Sequence, residues 1–168
     1  MLLTRRATAA DVPAILALIR RVVPLMHASG NFQWSIDYPN EAAFQRDIEQ
    51  HQLWVAELDG TVAGVAALTT DQDAEYAQAD WDATEAALVT HRLAVDPGAQ
   101  GKGVALALLE QAEKQALAQG LRVLRVDTNS ENAATQRLFP KLGYRFAGEI
   151  PLAFRPGLRF FCYEKRLG

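Results

Sequence analysis

The sequence predicts an α/β fold, a central mixed β-sheet flanked by helices, and three observations point to it. Residues 88–119 (LVTHRLAVDPGAQGKGVALALLEQAEKQALAQ) read as a buried strand, a glycine loop and an amphipathic helix in unbroken succession. A second apolar run, Arg122–Asp127, follows that helix directly, which makes a right-handed βαβ unit with two parallel strands. Upstream, Leu53–Leu58 and Thr61–Thr69 flank Asp59-Gly60, the strongest short hairpin signal in the chain. Antiparallel and parallel pairing in one chain of 168 residues make the sheet mixed, and the length suits a single domain, 1–168, with its own core.

Leu2–Thr8 reads as a short first strand. Thr8 or Asp11 caps the helix that follows, with Pro13 in its first turn; Ile15, Leu18, Ile19 and Val22 form its apolar stripe, which Pro24 disturbs. The stretch HASGNFQWSIDYPN is rich in turn formers and aromatics, and a second helix runs from about Glu41 to Gln50. Beyond the hairpin, residues 71–85 form an acidic loop containing Tyr76 and Trp81. Leu88–Val95 is apolar and β-branched, as a strand buried on both faces should be, and Asp96-Pro97-Gly98 ends it because proline has no N–H to give a ladder. Val104, Leu108, Ala112 and Ala116 then repeat at helical spacing as far as Gly120. Thr128 to Glu131 suits a capping box for a helix from about Asn132 to Lys141, closed by Gly143. Tyr144–Glu149 and Leu158–Lys165 are the closing strands, separated by Pro151 and Pro156.

Composition excludes several function classes. With 49% hydrophobic and 22% charged residues the chain is ordinary for a globular protein. No apolar run approaches a membrane span, and the start MLLTRRATAAD lacks the apolar core of a signal peptide, so the expectation is cytoplasmic, with no membrane partner. A single cysteine, Cys162, precludes an internal disulfide or a cysteine metal cluster, and three histidines without H-x-x-x-H spacing predict no metal. The net charge of −3 argues against nucleic acid as a partner. The charge is unevenly placed: no Lys or Arg lies between Arg46 and Arg92, while Asp71, Asp73, Glu75, Asp80, Asp82 and Glu85 crowd one segment. That segment reads either as a solvated face or as the approach to a site for a cation.

The chemistry concentrates at Gln100–Ala105. A strand, a small-residue loop and a helix N-terminus together make an anion site, because first-turn N–H groups lack intrahelical partners and the helix dipole adds about half a positive charge there. A phosphate-bearing ligand is therefore expected. The P-loop pattern G-x-x-x-x-G-K-S/T fails, since Gly98 and Gly103 have the spacing but Val104 replaces the lysine. The dinucleotide pattern G-x-G-x-x-G starts at Gly101 and Gly103 but meets Leu106 at its third glycine.

The loop instead resembles the pyrophosphate loop of the GNAT-type N-acetyltransferase superfamily, Gln/Arg-x-x-Gly-x-Gly/Ala, with Gln100, Gly103 and Ala105 in the specified positions. The preceding LAVDP is similar to that family's central strand. Downstream, DTNSENAATQRLFPKLGY resembles its second cofactor element, Asn-x-x-Ala/Ser-x-x-Leu/Phe-Tyr-x-Lys-x-Gly-Phe/Tyr. Asn132, Leu138, Lys141, Gly143 and Tyr144 match, and Thr135 and Phe139 depart. The order β-α-α-β-β-β-α-β-α-β-β carries the resemblance over nearly the whole chain.

The resemblance implies a GNAT-like fold, with the parallel strands splayed apart, and acetyl transfer from acetyl-coenzyme A (acetyl-CoA), a co-substrate, to a primary amine by direct attack. Unpaired backbone in such a gap is costly unless a ligand satisfies it. Backbone of Leu93 and Val95 would then hold the pantetheine and polarise the thioester, and backbone N–H groups of Gln100, Gly101, Lys102, Gly103, Val104 and Ala105 would hold the pyrophosphate. Asn132 would touch the pantetheine arm, as well as or instead of capping its helix. The loop between the first two helices would border the acceptor, which makes Phe32, Gln33, Trp34 and Tyr38 candidates beside their role in packing.

Attack needs a neutral amine, hence a base. His91 is placed by strand alternation on the same face as Leu93 and Val95, and reads either as that base or as a hydrogen-bonded core histidine. Glu85 or Asp82, acting through water, is the rival. The acidic segment, with Asp80 and Asp82, suggests a cationic acceptor, either a small molecule or a peptide. Where the family has a tyrosine to protonate the leaving thiolate, Phe139 has no proton to give, so Tyr144, Tyr163 or water would serve. That departure also keeps open a catalytically lapsed acyl-CoA-binding sensor or interaction module. A homodimer is left open as well.

Overall fold

The computed structural model describes residues 1–168. Its strands are β1 (Leu2–Arg6), β2 (Leu53–Leu58), β3 (Thr61–Thr69), β4 (Leu88–Val95), β5 (Val123–Asn129), β6 (Arg145–Pro151) and β7 (Arg159–Arg166); its helices are α1 (Val12–Ala28), α2 (Glu41–Glu49), α3 (Val104–Ala118) and α4 (Ala133–Lys141). All seven strands form one mixed sheet in the order β1-β2-β3-β4-β5-β7-β6, in which only β4 and β5 are parallel. The α/β fold and its order of elements are as predicted.

Alternation along the strands sends side chains into two layers. On one face Trp54, Ala66, Leu88, Leu124 and Val126 pack with Val104, Leu108 and Ala112 of α3 and Phe139 of α4. On the other, Val55, Val65 and Ala67 pack with Ile15, Leu18 and Phe44 of α1 and α2. Farther along that second face, Val89, Phe160 and Cys162 are covered by Tyr76 and Ala79 from the acidic segment.

Two local expectations fail for physical reasons. The disturbance expected at Pro24 does not end helix α1, which runs on to Ala28. Pro24 and Arg20 are both exposed, so the carbonyl that proline leaves without a donor can turn to water. Helix α4 is capped by Asn132, whose Oδ1 accepts the Thr135 N–H at 3.2 Å, and not by Thr128. Thr128 and Asn129 remain in β5, paired with Phe161 and Phe160 of β7.

Three features of the sheet prepare a site. The β4–β5 ladder ends at Thr90↔Val126, so His91–Val95 and Asp127–Asn129 diverge without joining each other. Directly after that last pair β4 bulges: Ala67 faces His91 and Val65 faces Ala94, leaving Arg92 and Leu93 opposite Ala66 alone. Arg92 takes φ +53°, a left-handed conformation that costs a non-glycine residue roughly 1–3 kcal/mol. It is held there by two 2.7 Å hydrogen bonds to the buried carboxylate of Asp47 in α2, and by a 3.3 Å bond to the Tyr38 hydroxyl. Finally, α3 lies so close to β3 that a Cβ on Gly64 would fall 2.5 Å from Val104 Cγ1. Only glycine lets the first turn of α3 settle against the sheet at this height.

Candidate active site

The glycine loop becomes an anion cradle through its backbone. Gly101 and Gly103 both have positive φ (78° and 81°), and Gly103 is the N-cap of α3. The Gly103 carbonyl accepts the first helical bond, from Ala107 at 2.9 Å. The N–H groups of Gly103, Val104, Ala105 and Leu106 donate to nothing in the chain. Four unpartnered donors on a helix N-terminus suit a pyrophosphate.

From this cradle the free edge of β4 leads to the apex of the split, lined by Leu93, Val95, Asn132, Thr128 and Phe139. Asn132 spends its carbonyl on the helix cap, while its amide N–H groups stay available to the gap. Phe139 is buried with its ring against Tyr144 (5.6 Å between centroids) and Tyr163 (5.3 Å). Those two tyrosines belong to the core and do not line the gap. The hydroxyls that do line it on this side are those of Thr128 and Thr135, 2.7 Å apart.

On the opposite face the apex carries a polar cluster. Side-chain donor atoms of His91, Asp127 and Asp73 all lie within 4.8 Å of one another. His91 Nε2 is 3.3 Å from the Asp71 carbonyl oxygen, and the buried Tyr76 hydroxyl donates to Asp127. Burial raises the Asp127 carboxyl above its ordinary range, against the hydrogen bond from Tyr76 and the charge of His91. An imidazole clustered with two carboxyl groups brings together side chains that can exchange protons with a substrate, and the same ligand atoms would suit a divalent cation. Gap, cradle and cluster open into one cavity of about 1280 Å³, lined also by Gln33, Trp34, Tyr38, Arg92 and Arg155. Pockets for a single small ligand measure roughly 300–1,000 Å³, so there is room for a cofactor arm and an acceptor together.

These features have a known combination. A family model described as the acetyltransferase (GNAT) family matches residues 19–144. The chain belongs to that family. It is similar to an L-methionine sulfoximine/L-methionine sulfone acetyltransferase of Pseudomonas aeruginosa, 31% identical over 152 residues that cover 88% of this chain and 82% of the relative. It is also similar to the human N-acetylaspartate synthetase, 29% identical over 126 residues, which cover 71% of this chain but only 38% of the synthetase. A GNAT-family acetyltransferase of Streptococcus agalactiae superposes with a TM-score of 0.82 at 28% identity, over 99% of this chain and 96% of its own. The protein is accordingly an acetyl-CoA-dependent N-acetyltransferase by class.

Within the GNAT frame the residues singled out in the sequence divide cleanly. Leu93, Val95, Gln100, Gly101, Gly103, Val104, Ala105, Asn132 and Phe139 all line the cavity, as do His91, Gln33 and Trp34. Lys102 does not; its side chain is exposed, and its charge acts on Asp59 in the β2–β3 turn. Asp80, Asp82 and Glu85 also lie outside. Glu85 pairs with Arg166 (2.6 Å), which holds its carboxyl below the usual range. Asp82 caps its own turn by accepting from the Thr84 hydroxyl and N–H, and the Asp80 carbonyl accepts from Arg145. The fully buried Arg125 ties the segment down through the Asp82 carbonyl (2.8 Å), Gln72 (2.8 Å) and the Trp81 ring (4.6 Å). The second half of the chain supplies the bases that the acidic stretch lacks.

The alternation rule misplaced His91. It shares no face with Leu93 and Val95, because the bulge at Arg92 shifts the phase by one residue. Leu93 packs toward α3, whereas His91 stands opposite Ala67 on the α1–α2 face, with Asp127. Asp127, Asp73, Tyr76, Arg92, Asp47 and Arg155 were not singled out. Asp73 and Tyr76 left a trace only as members of the acidic segment, and Asp127 only as the end of its strand; Arg92, Asp47 and Arg155 meet the site only through the fold.

Proposed function

We propose that the enzyme moves the acetyl group of acetyl-CoA to the primary amine of a small molecule by direct attack, with His91 as the base. The observation that carries this reading is the placement of His91 and Asp127. They are the first residues beyond the last β4–β5 pair, so their cluster sits where the groove for the cofactor meets the cavity for an acceptor. When bound, acetyl-CoA supplies a thioester: the amine nitrogen bonds to its acyl carbon, the C–S bond breaks, and the sulfur leaves as thiolate.

The chain's own groups do the rest. Backbone N–H groups of Gly103–Leu106 bind the pyrophosphate, and the unpaired edge at Leu93–Val95 aligns the arm that carries the acyl group. His91 accepts the proton the amine must lose, and Asp127 and Asp73 stabilise the resulting imidazolium. Tyr76 holds Asp127 in position. Phe139 seals the wall and gives no proton; a thiol that ionises within a few units of neutrality can leave without one. The relatives' names, for methionine sulfoximine or sulfone and for N-acetylaspartate, support a small acceptor over a protein.

Release of free CoA thiol across a panel of small amines, free amino acids and peptides, with products weighed by mass spectrometry, tests the reading. We expect N-acetylated small amines and no acetylated peptide. Acetyl-CoA binding without thiol release on any acceptor would refute it.

A further inference from the structure

The acceptor side of the cavity contains a guanidinium with a donor to spare. Arg155, in the turn between β6 and β7, lines the cavity beside Gln33, Tyr38 and Phe154. Its Nε donates to the Gln33 carbonyl, and its Cζ sits 5.5 Å from the Tyr38 ring and 5.8 Å from the Phe154 ring. These contacts fix the plane of the fork. Neither of its outer nitrogens, the buried Nη2 nor the more accessible Nη1, has a hydrogen-bond partner in the chain, and no carboxylate pairs with Arg155. A half-buried guanidinium without a counter-charge is left for an anion in the cavity to match.

We propose that Arg155 reads a carboxylate on the acceptor, so that the acceptor is an amino acid. The proposal rests on the transfer reading above and names its substrate class. The charges around the cavity support it. Asp73 and Asp127 stand at the apex with His91, where the ammonium must arrive and lose its proton. Arg155 and the Tyr38 ring stand across the cavity, and Tyr38 is tied to the apex through the bulged Arg92, 3.3 Å from its hydroxyl. A zwitterion laid across this space meets opposite charge at both ends, whereas a diamine would bring a second cation against Arg155. A planar fork held by stacking is the geometry that suits a carboxylate.

The test compares free L-amino acids with their carboxamides, which keep the amine and lose the negative charge, using CoA thiol release by the full chain. Wild type should favour the acid over its amide by roughly 10- to 100-fold in kcat/KM, the range of a charge-assisted hydrogen bond. In Arg155→Met that preference should collapse toward one, and Arg155→Lys, which keeps the charge without the fork, should retain part of it. A wild-type preference for amides overturns the proposal while leaving acetyl transfer intact, and it needs no variant to fold. Equal loss on acid and amide in Arg155→Met gives Arg155 a structural role and also overturns it. A weakened acetyl-CoA affinity in Arg155→Met, measured by calorimetry, assigns the guanidinium to a cofactor phosphate and overturns it too. No turnover on any acid, amide or amine removes the transfer reading itself, and this inference with it.

Discussion

The two walls of the cavity are built on different principles. The proposed cofactor wall is almost all backbone: the N–H groups of Gly103–Leu106 and the open edge of β4, with the Asn132 cap of α4, all within two stretches of continuous chain. The proposed acceptor wall is side chains gathered from far apart, with Gln33, Tyr38, Asp73, His91, Asp127 and Arg155 contributed by five separate segments. Backbone donors recognise a feature every acetyl-CoA has and leave little to vary. Dispersed side chains can be exchanged one at a time, which suits the wall that must tell one amine from another.

Substitutions can separate the walls. The largest effect is expected at their junction: His91→Gln should lower kcat by about 10²–10⁴. Steady-state kinetics would show it. Next, Asp47→Ala strands the Arg92 guanidinium and frees the bulge, at a cost of about 3–5 kcal/mol for a broken buried pair. Urea unfolding should report that loss. Activity in the surviving folded protein should fall too, because the bulge sets where β4 turns from His91 to Leu93.

The contrast between the walls also explains what could be read from the chain. Strand, loop and helix spacing at residues 88–119 predicted β4, the glycine loop and α3 as the structure has them, because backbone geometry follows local residue type, as glycine at 101 and 103 shows. His91 was found but turned to the wrong face, since a single positive φ at Arg92 is invisible to period-two alternation and its cause, Asp47, lies 45 residues away. The acidic stretch reaches the cavity only at its start, with Asp71 and Asp73, while the partners that hold the rest away from it, Arg125, Arg145 and Arg166, are distant in sequence. Arg155 carried no signal at all: its meaning is a missing partner, which only a folded cavity can reveal.

A smaller effect separates scaffold from site in acid. Arg5 grips the Asp11 carboxylate with two 2.8 Å bonds, and Thr8 N–H adds a third at 2.7 Å. The Arg5 hydrogen bonds lead in lowering its pKa to about 2. A carboxyl depressed by folding stabilises the native state above its ordinary pKa, and that contribution disappears as pH falls toward about 2. Asp11→Asn should therefore lower the melting temperature at pH 7, and the difference should shrink as the pH is taken down toward about 2. Activity lost well above that window then belongs to the site and not to this corner of the fold. The smallest effect is expected from Asp80→Asn with Asp82→Asn, which should leave kcat/KM unchanged at low salt, since neither residue reaches the cavity. A clear drop there would add Asp80 and Asp82 to the acceptor wall beside Asp73.

The most direct test crosses the two walls in one experiment: acetyl-CoA affinity by calorimetry and the single-turnover rate at saturating acetyl-CoA, for His91→Gln and for Gly103→Asp. Gly103→Asp adds a negative side chain at a left-handed position in the cradle and should abolish or sharply weaken binding. His91→Gln should bind as wild type does and fail in the rate. If instead His91→Gln loses affinity in step with its rate, or Gly103→Asp binds normally while folded, the division of labour between backbone and side-chain walls is wrong.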